Sequence, residues 1–225
     1  MVLCLAGSKL SGAGLLNDFK LFDSHFHIID QRFPLVASHG YLPDEFTCDD
    51  YQTRLAAYKL MGGAIVSGSF QAFDQGYLEH SLATLGPAFV GVTQLPASVS
   101  DDEIIRLDSL GVRALRFNLK RGGSEGIAQL VTMARRVYEL VAWHVELYVD
   151  ASELAGMYDT LVRLPAVCID HLGLCQSGFA MLVKLAGAGV RVKASGFSPR
   201  IHAKHINLSG RTQVIQTCSG VIFQG

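Results

Sequence analysis

The chain has 225 residues, of which 49% are apolar and 17% are charged, and its formal net charge is −1. This length fits one domain, and so apolar a composition favours strands that are covered on both faces. Nucleic acids and anionic membranes attract proteins with a basic surplus, so the balanced charge argues against both partners. No apolar run approaches the length of a membrane-spanning helix.

Residues 1–20 are interpreted as an N-terminal extension. The apolar start, Met1–Gly7, has no basic flank before it and is short for the core of a signal peptide. The five cysteines are odd in number and form no C-x-x-C pair, which favours free thiols in a reducing compartment. We therefore expect a cytoplasmic protein.

Seven short runs rich in Val, Ile, Leu or Phe are predicted to be buried parallel strands, because each is bounded by Gly, Pro or Asp. Helical segments separate several of them: Ser100 opens one, another covers Leu130–Val141, and Ser152 opens a third. Repeated strand-helix units with right-handed connections are compatible with two architectures, a closed barrel and an open doubly wound sheet. No G-x-G-x-x-G motif follows the first strand, so a dinucleotide-binding doubly wound sheet has no positive support. The predicted strands are Leu21–Asp30, Gly63–Phe70, Phe89–Pro96, Val112–Leu119, His144–Asp150, Ala166–Gly173 and Arg191–Phe197.

The segment 198–225 departs from this pattern. It contains no clear strand-helix unit, and no Asp or Glu occurs after Asp170. The fold class predicted is therefore α/β, a TIM-like (β/α) barrel over residues 21–197 with seven clear units, its eighth unit missing or replaced by an irregular tail. Two β-prone stretches of the tail, Gln213–Cys218 and Val221–Gln224, could patch the open barrel edge.

The sharpest chemical motif is Asp23-Ser24-His25-Phe26-His27 on the first predicted strand. Residues two apart on a strand share a face, so His25 and His27 should project together into the barrel interior. Two imidazoles aimed at one point can hold a divalent metal ion or orient a water molecule and a carbonyl group. An arbitrary H-x-H is more often an ordinary pair of histidines, but this pair stands on the first strand of a βα series behind an acid.

A third imidazole, His171, stands at the C-terminal end of the sixth predicted strand, in Ile169-Asp170-His171. Active sites of barrels gather at that face, so His171 can converge with the first pair. Taken alone, a histidine at a strand end is more often structural. Strand alternation places Asp170 on the opposite side, which favours a structural role for its carboxylate.

Arg116 lies within the apolar fourth strand, where an unpaired guanidinium is costly to bury. It requires an anion, either an internal carboxylate or a carboxylate of the substrate, and the sequence leaves both alternatives open. Arg121 follows in the next loop, where it could bind an anion or lie on a solvated surface.

On the fifth strand, His144, Glu146 and Tyr148 share one face. If that face lines the barrel, Tyr148 could donate a hydrogen bond to a substrate. Ser69, at the end of the second strand, and Tyr41, in the first long loop, are weaker candidates for the same pocket.

These motifs together resemble the metal-dependent hydrolases of the amidohydrolase-2 group, within the amidohydrolase superfamily. The resemblance runs from about Leu21 to Phe197, and the chain is most similar to the lactonase branch, the 2-pyrone-4,6-dicarboxylate lactonases and sugar lactonases. Six segments in the expected order carry it: DSHFHIID, GYLPDEF, GVRALRFNLKR, WHVELYVD, IDHLG and VKASGF.

The resemblance implies a TIM-like barrel in which His25, His27 and His171 are the catalytic residues, His171 polarising the scissile carbonyl. It implies that Arg116 and Arg121 bind carboxylate groups, and that Tyr41, Ser69 and Tyr148 line the substrate pocket. Where many superfamily members place a metal-binding His, this sequence has Tyr148. That favours a lactonase with weak metal binding or none; otherwise His25, His27 and His171 would hold one divalent ion, Zn or Mn.

The chain departs from the family pattern at two points. Leu174 stands after IDHLG, where relatives carry an Arg that would contact a dicarboxylate. The family's eighth strand supplies an Asp that acts as general base or metal ligand, and this sequence has no such motif. Because loss of a general base lowers rates by roughly a hundred- to ten-thousand-fold, weak activity is expected. The abrupt change after Phe197 is also what a truncation or frameshift would produce.

Three functional readings remain open. The first is a lactonase that hydrolyses a small carboxylated lactone; a homo-oligomer is left open by the unpaired edges expected on an incomplete barrel. The second is a metal-dependent decarboxylase or amide hydrolase of the same superfamily. The third is a barrel remnant without catalytic activity.

Overall fold

Seven parallel strands, formed mainly by buried aliphatic residues, build one curled sheet with helices between successive strands. The computed structural model describes residues 3–5, 20–37, 40, 42–195, 213–217 and 220–224, with side chains described in 20–37, 40 and 42–195. In chain order the parallel strands are β2 (Lys20–Phe26), β3 (Lys59–Val66), β4 (Phe89–Thr93), β5 (Val112–Asn118), β6 (His144–Tyr148), β7 (Val167–Ile169) and β8 (Arg191–Val192).

Each of these strands pairs with its neighbour in sequence, which is the connectivity of a (β/α) barrel. The α/β fold class predicted from the sequence is confirmed, with seven parallel strands in a TIM-like half-barrel. The helices are α1 (Cys48–Leu55), α2 (Gly76–Leu85), α3 (Asp101–Ser109), α4 (Leu130–Val141), α5 (Tyr158–Leu161) and α6 (Phe179–Gly187). None of the described helices is both long enough and apolar enough to cross a membrane.

Among the described α-helices, α1 and α3 begin at a side-chain cap, Thr47 and Ser100. The Ser100 side chain accepts a hydrogen bond from the backbone N–H of Glu103 and starts α3. Helix α4 has the predicted bounds and buries Leu130, Met133, Ala134 and Val137, three or four residues apart, against the sheet.

The helical segment expected to open at Ser152 begins one residue earlier than predicted. A 3₁₀ helix covers Ala151–Met157, and its N-cap is Asp150, whose carboxylate accepts from the backbone N–H of Ser152. Helix α5 follows directly at Tyr158–Leu161. Because the cap follows immediately on the end of strand β6, Asp150 lies at the mouth of the barrel.

Several strands end earlier than predicted. Strand β2 stops at Phe26, and β7 contains only Val167–Ile169, after which the chain turns into a left-handed segment at His171–Leu174. A turn of this kind breaks the alternation of side chains along a strand. Side chains beyond Ile169 therefore do not follow the pattern of the strand, and this decides the shape of the site.

The two edges of the curled sheet are not bare. A short strand, β1 (Leu3–Leu5), lies within the N-terminal extension and pairs antiparallel with β2, from Leu3 opposite Asp23 to Leu5 opposite Leu21. In the tail, β9 (Gln213–Thr217) and β10 (Gly220–Gln224) form a separate antiparallel hairpin, in two stretches that the sequence marks as β-prone. Strand β10 lies in contact with both β8 and β2, without being hydrogen-bonded into the larger sheet.

Candidate active site

Three imidazoles meet at the C-terminal end of the parallel strands. His25 and His27 come from the end of β2, and His171 follows β7. The ring centroids of His25 and His171 are 4.4 Å apart, and those of His25 and His27 are 5.1 Å apart. The structure therefore brings together the three residues that the sequence analysis selects, and we call them the imidazole cluster. Their catalytic role stays a prediction.

His27 has a defined tautomer. Its Nδ1 lies 2.6 Å from the backbone carbonyl oxygen of Val66, which can only accept a hydrogen bond, so Nδ1 carries the proton and Nε2 presents a lone pair. Burial, together with the positive charge of Arg116, lowers the pKa of His27 to about 3. At neutral pH this imidazole is uncharged.

His25 is buried, and neither of its ring nitrogens has a hydrogen-bond partner among the described residues. Its Nδ1 lies 3.6 Å from Oδ1 of Asp170, which also lacks a hydrogen-bond partner there. Burial, with the nearby charge of Lys193, holds the pKa of His25 well below its usual value. Buried polar atoms without partners are rare and mark positions where a ligand can bind.

His171 is held from behind. Its Nδ1 lies 2.8 Å from Oγ of the fully buried Ser195, and its ring meets the ring of Tyr148 edge to face at 5.7 Å. Burial lowers the pKa of His171, so it too is neutral at neutral pH. All three imidazoles are therefore uncharged and can offer a lone pair or an N–H to a ligand.

The sequence-based prediction that the Asp170 side chain points away from this cavity is wrong. Asp170 is fully buried, its Oδ2 accepts from Nε and Nη2 of Arg116 at 3.1 and 3.0 Å, and its Oδ1 faces His25. The prediction assumed continued strand alternation, but the strand ends at Ile169 and His171 has a positive φ of 53°. The turn brings both side chains to the same side.

The sequence left open whether Arg116 pairs with an internal carboxylate or with one of the substrate, and in the structure its guanidinium binds the internal carboxylate of Asp170. Besides Asp170, its guanidinium donates from Nη1 to the carbonyl oxygen of Ser67 at 2.7 Å, and its side chain is 2% exposed. The guanidinium also lies over the ring of Tyr148, with Cζ 5.1 Å from the ring centroid. A role of Arg116 in binding a substrate carboxylate stays a prediction.

A second buried ion pair lies beside the first and was not selected from the sequence. Nζ of Lys193 lies 2.6 Å from Oε1 of Glu146 and 3.7 Å from Oδ1 of Asp170, and Lys193 and Glu146 are almost fully buried. Burial is the largest single influence and raises the pKa of Glu146, but the charges and hydrogen bonds of Lys193 and His144 together outweigh burial and lower this pKa. We call Arg116, Glu146, Asp170 and Lys193 the ionic cluster. The signal available in the sequence was a lysine within the apolar VKASGF segment, the same anomaly that singles out Arg116.

The remaining predicted pocket residues lie around the mouth. Tyr148 is half-buried beside His171, and Cζ of the exposed Arg121 lies 5.8 Å from its ring centroid. Ser69 is buried three residues after the end of β3, and its backbone lies against Gly123. The segment after β3 therefore contacts the loop that carries Arg121. Tyr41 lies outside the described residues, and its predicted role stays untested.

The donor set at the centre of the cavity fits a metal ion. One ligand atom each from His25, Asp170 and His171 lie within 4.8 Å of one another. Imidazole nitrogen and carboxylate oxygen suit Zn or Mn, and the unpartnered atoms of His25 and Asp170 leave valences for a cation. This group contains Asp170, where the sequence analysis expects His27.

Comparisons with known proteins agree with the geometry. The amidohydrolase family model, the amidohydrolase-2 group, matches residues 22–217. A curated relative from Comamonas testosteroni, a 2-pyrone-4,6-dicarboxylate hydrolase, is 28% identical over 160 residues, which is 67% of this chain and 51% of the relative. The chain thus spans about half the length of that relative.

Solved structures give the same result. A candidate 2-pyrone-4,6-dicarboxylic acid hydrolase from Pseudomonas putida is 31% identical and superimposes with a TM-score of 0.65, covering 79% of this chain and 71% of the other. A second candidate 2-pyrone-4,6-dicarboxylic acid hydrolase, from Acinetobacter baumannii with citric acid bound, is 21% identical with a TM-score of 0.69 over 78% of this chain and 70% of the other, which supports the fold alone. The half-barrel, the imidazole cluster at its C-terminal mouth and the family match together show that this chain belongs to the amidohydrolase-2 group of the amidohydrolase family.

Proposed function

We propose that this chain is a hydrolase that opens the ring of a small carboxylated lactone by attack of water on the lactone carbonyl. The observation that carries the proposal is the imidazole cluster, three neutral histidines at one barrel mouth beside Tyr148 and Arg121. The relatives from Comamonas testosteroni and Pseudomonas putida, named as hydrolases of 2-pyrone-4,6-dicarboxylate, support the substrate class.

The charges around the cluster favour an anionic intermediate. Beyond the effect of burial, the positive charges of Arg116 and Lys193 lower the pKa of His25 and His27, whereas at His171 the negative charge of Asp170 opposes these two cations. Near His25 and His27, these two cations favour the oxyanion that forms when water attacks a carbonyl carbon. The ionic cluster thus contributes to the reaction through its field, while the imidazoles contact the substrate.

His27 and His171 have different roles in the proposed reaction: His27 binds the attacking water, and His171 binds the carbonyl oxygen. The lone pair at Nε2 of His27 can accept a hydrogen bond from the attacking water, because Nδ1 already donates to the Val66 carbonyl. We assign the contact with the carbonyl oxygen to His171, whose ring centroid lies 4.4 Å from that of His25. A divalent ion held by His25, Asp170 and His171 would polarise the carbonyl and acidify the water.

Recognition of the carboxylate falls to Arg121 and Tyr148. Arg121 is exposed at the mouth and its guanidinium lies near the Tyr148 ring, whereas the guanidinium of Arg116 is buried away from solvent. A guanidinium binds a carboxylate through two parallel hydrogen bonds. We therefore assign the outer arginine to the substrate carboxylate.

The expected rate is low. The chain has no Asp or Glu after Asp170, so the acid that the family places on the eighth strand has no counterpart. His27 lies in the site, but its pKa of about 3 is far below the neutral pH at which the reaction would run, whereas a general base works best with a pKa near that pH. General bases contribute typically a hundred- to ten-thousand-fold.

The direct test is hydrolysis of 2-pyrone-4,6-dicarboxylate by the purified chain, followed as loss of the pyrone absorbance. The same assay with unsubstituted 2-pyrone shows whether the carboxylates matter. Arg121→Leu should raise KM for the dicarboxylate. Arg113→Leu, which removes an exposed arginine of β5 bound to Asp108, should leave KM unchanged. Equal turnover of both pyrones, or equal effects of both variants, would contradict the carboxylate specificity.

A metal-dependent decarboxylase or amide hydrolase is the second candidate, favoured by the ligand atoms of His25, Asp170 and His171. Such an enzyme would copurify with about one equivalent of Zn or Mn and would lose its activity on chelation. Retained lactone hydrolysis after chelation would exclude it.

The third candidate, a barrel remnant without catalysis, is tested by fusing an Asp-bearing eighth strand to the chain. If hydrolysis rises by roughly a hundredfold or more, the missing base was the limitation. If the extended protein folds and still hydrolyses no lactone, the remnant hypothesis is favoured.

A further inference from the structure

His171 sits in an unusual stretch of backbone. His171, Leu172, Gly173 and Leu174 all have positive φ, from 51° to 62°, and three of these residues are not glycine. Non-glycine residues in this region each cost roughly 1 kcal/mol or more, so neighbouring groups must hold the turn in place. Strain of this kind is concentrated at functional sites.

The chain of β8 and the residues after it hold this turn. The backbone N–H of Leu172 donates to the carbonyl oxygen of Lys193 at 3.0 Å, and the backbone N–H of Lys193 donates to the carbonyl oxygen of Ile169 at 2.8 Å. Two residues further along, Oγ of Ser195 lies 2.8 Å from Nδ1 of His171. The backbone contacts fix the turn, and the serine contacts the imidazole itself.

The available donors and acceptors indicate whether Ser195 or His171 donates this hydrogen bond. Ser195 is 0% exposed, and Nδ1 of His171 is the one hydrogen-bond acceptor that its hydroxyl has among the described residues. If His171 donated instead, the serine proton would be buried without an acceptor, at a cost of about 1–3 kcal/mol. The favoured arrangement is therefore Ser195 O–H donating to an unprotonated Nδ1.

His27 shows the opposite arrangement. Its Nδ1 faces the carbonyl oxygen of Val66, an acceptor, and must be protonated. The partner behind each ring thus decides what the other nitrogen offers: a carbonyl leaves a lone pair at Nε2 of His27, and a hydroxyl leaves an N–H at Nε2 of His171.

We propose that Ser195 is a positioning residue that fixes His171 as the Nε2–H tautomer, so that His171 donates a hydrogen bond to the substrate carbonyl. The inference rests on the proposed function and deepens it. The two flanking histidines of the cluster then act as a matched pair, an acceptor for the water at His27 and a donor for the oxyanion at His171.

The same contact bears on metal binding. A histidine that binds a cation through Nε2 carries its proton at Nδ1 and donates that proton to the group behind it. In the absence of a metal ion, Ser195 favours the opposite tautomer. A metal ion bound through Nε2 would therefore have to reverse the Ser195–His171 hydrogen bond.

Nitrogen NMR of the chelator-treated full chain with ¹⁵N-labelled histidine tests the proposal at pH 7.5, where the imidazoles are neutral. We expect an unprotonated Nδ1 and a protonated Nε2 for His171, whose signals are assigned by their loss in His171→Gln. In Ser195→Ala we expect the Nδ1–H tautomer to become populated. A protonated Nδ1 in the unaltered chain, or a tautomer that Ser195→Ala leaves unchanged, would overturn the proposal.

Two further variants separate positioning from packing. Ser195→Cys keeps a weak donor of similar size and should retain part of the Nε2–H population. Ser81→Ala removes another buried serine hydroxyl, one that donates to the Tyr77 carbonyl on α2, and should leave the His171 signals unchanged. If Ser81→Ala changed the tautomer as much as Ser195→Ala, the effect would be one of general packing and the proposal would fail.

Kinetics provide the link to function. With 2-pyrone-4,6-dicarboxylate as the probe, Ser195→Ala should lower kcat with little change in KM, by at most the hundred- to thousandfold typical of losing one oxyanion donor. A raised KM with unchanged kcat would contradict the positioning role. If the tautomer depends on Ser195 but the chain hydrolyses no lactone, the proposed function fails while the assignment of Ser195 stands.

Discussion

The barrel interior contains two neighbouring polar clusters, and they offset the free-energy cost of burying polar side chains in different ways. In the ionic cluster, two cations, Arg116 and Lys193, face two carboxylates, Glu146 and Asp170, and the formal charges cancel. In the imidazole cluster, His25, His27 and His171 avoid charge altogether, because burial lowers the pKa of each ring.

The difference indicates which group is available to a ligand. The four charged side chains form ion pairs with one another, although some of their atoms, such as Oδ1 of Asp170, have no hydrogen bond among the described residues. The uncharged ring of His25 has no hydrogen-bond partner there at either nitrogen. Asp170 belongs to the ionic cluster and also faces His25, so it connects the two groups. In the proposed function, the ionic cluster acts through its charges and the imidazole cluster contacts the substrate.

Breaking the ionic cluster should have the largest effect. Lys193→Met leaves the carboxylate of Glu146 buried without its cation, and removing one partner of a buried pair typically costs about 3–5 kcal/mol. We expect a loss of that size in the free energy of unfolding, measured by urea denaturation at pH 7. The double variant Lys193→Met/Glu146→Gln should recover much of it. If Lys193→Met lowered the free energy of unfolding by less than about 1 kcal/mol, the ion pair between Lys193 and Glu146 would not stabilise the fold.

Breaking the imidazole cluster should affect catalysis more than stability. His171→Gln removes the group assigned to the carbonyl oxygen, so kcat/KM for the lactone should fall by roughly a hundred- to thousandfold. His80→Gln, on the outer helix α2 beside Arg32, is the matched control and should retain full activity. Unaltered kcat/KM in His171→Gln would exclude His171 from the reaction.

Between pH 6.5 and 4.5 the buried neutral histidines should make the free energy of unfolding depend on pH. In the folded protein the pKa of His27 is about 3, against 6.5 for an ordinary histidine. Below pH 6.5 the unfolded chain therefore binds a proton that the folded protein does not. The free energy of unfolding falls as the pH falls, by about 1.4 kcal/mol per pH unit for each such histidine, until the folded pKa is reached.

Urea denaturation between pH 6.5 and 4.5, with a chelator present, measures this slope. His27→Gln should make the slope shallower, and His25 and His171 act in the same direction. His80→Gln provides the control, for a histidine of the outer helix. An identical slope in His27→Gln and in the unaltered chain would disprove a neutral, buried His27.

The smallest effect is expected from an ion pair of the same chemistry at the surface. Nζ of Lys120 lies 3.0 Å from the Asp150 carboxylate, but the Lys120 side chain is 47% exposed. Exposed pairs contribute little, because water and salt screen them. Lys120→Met should therefore leave the urea midpoint almost unchanged. A loss as large as that in Lys193→Met would remove the distinction between the buried and exposed pairs.

Much of the fold and part of the site could be predicted from the sequence. Seven apolar runs gave the seven parallel strands, and the two-residue spacing of His25 and His27 placed their rings in one cavity. His171 was found because barrel sites gather at strand ends. Each of these inferences depends on local periodicity, which a sequence displays directly.

The rest depended on contacts between distant segments. Asp170 was assigned to the wrong side because the left-handed turn at His171 follows only three strand residues. Lys193 and Ser195 lie in a segment whose family resemblance was noted, yet their partners, Glu146 and His171, are separated from them by 47 and 24 positions. The spacing of residues along the chain does not predict which distant side chains will pair.

By itself, the sequence determined the order of strands and helices, the apolar core and the presence of three histidines at strand ends, since these follow from side-chain periodicity and capping. Only the tertiary structure decided which cation meets which carboxylate, that Arg116 binds Asp170, and which group stands behind each imidazole. The reason is physical: a buried polar group takes the state that its nearest partner imposes, and the chain's folding selects that partner from distant positions.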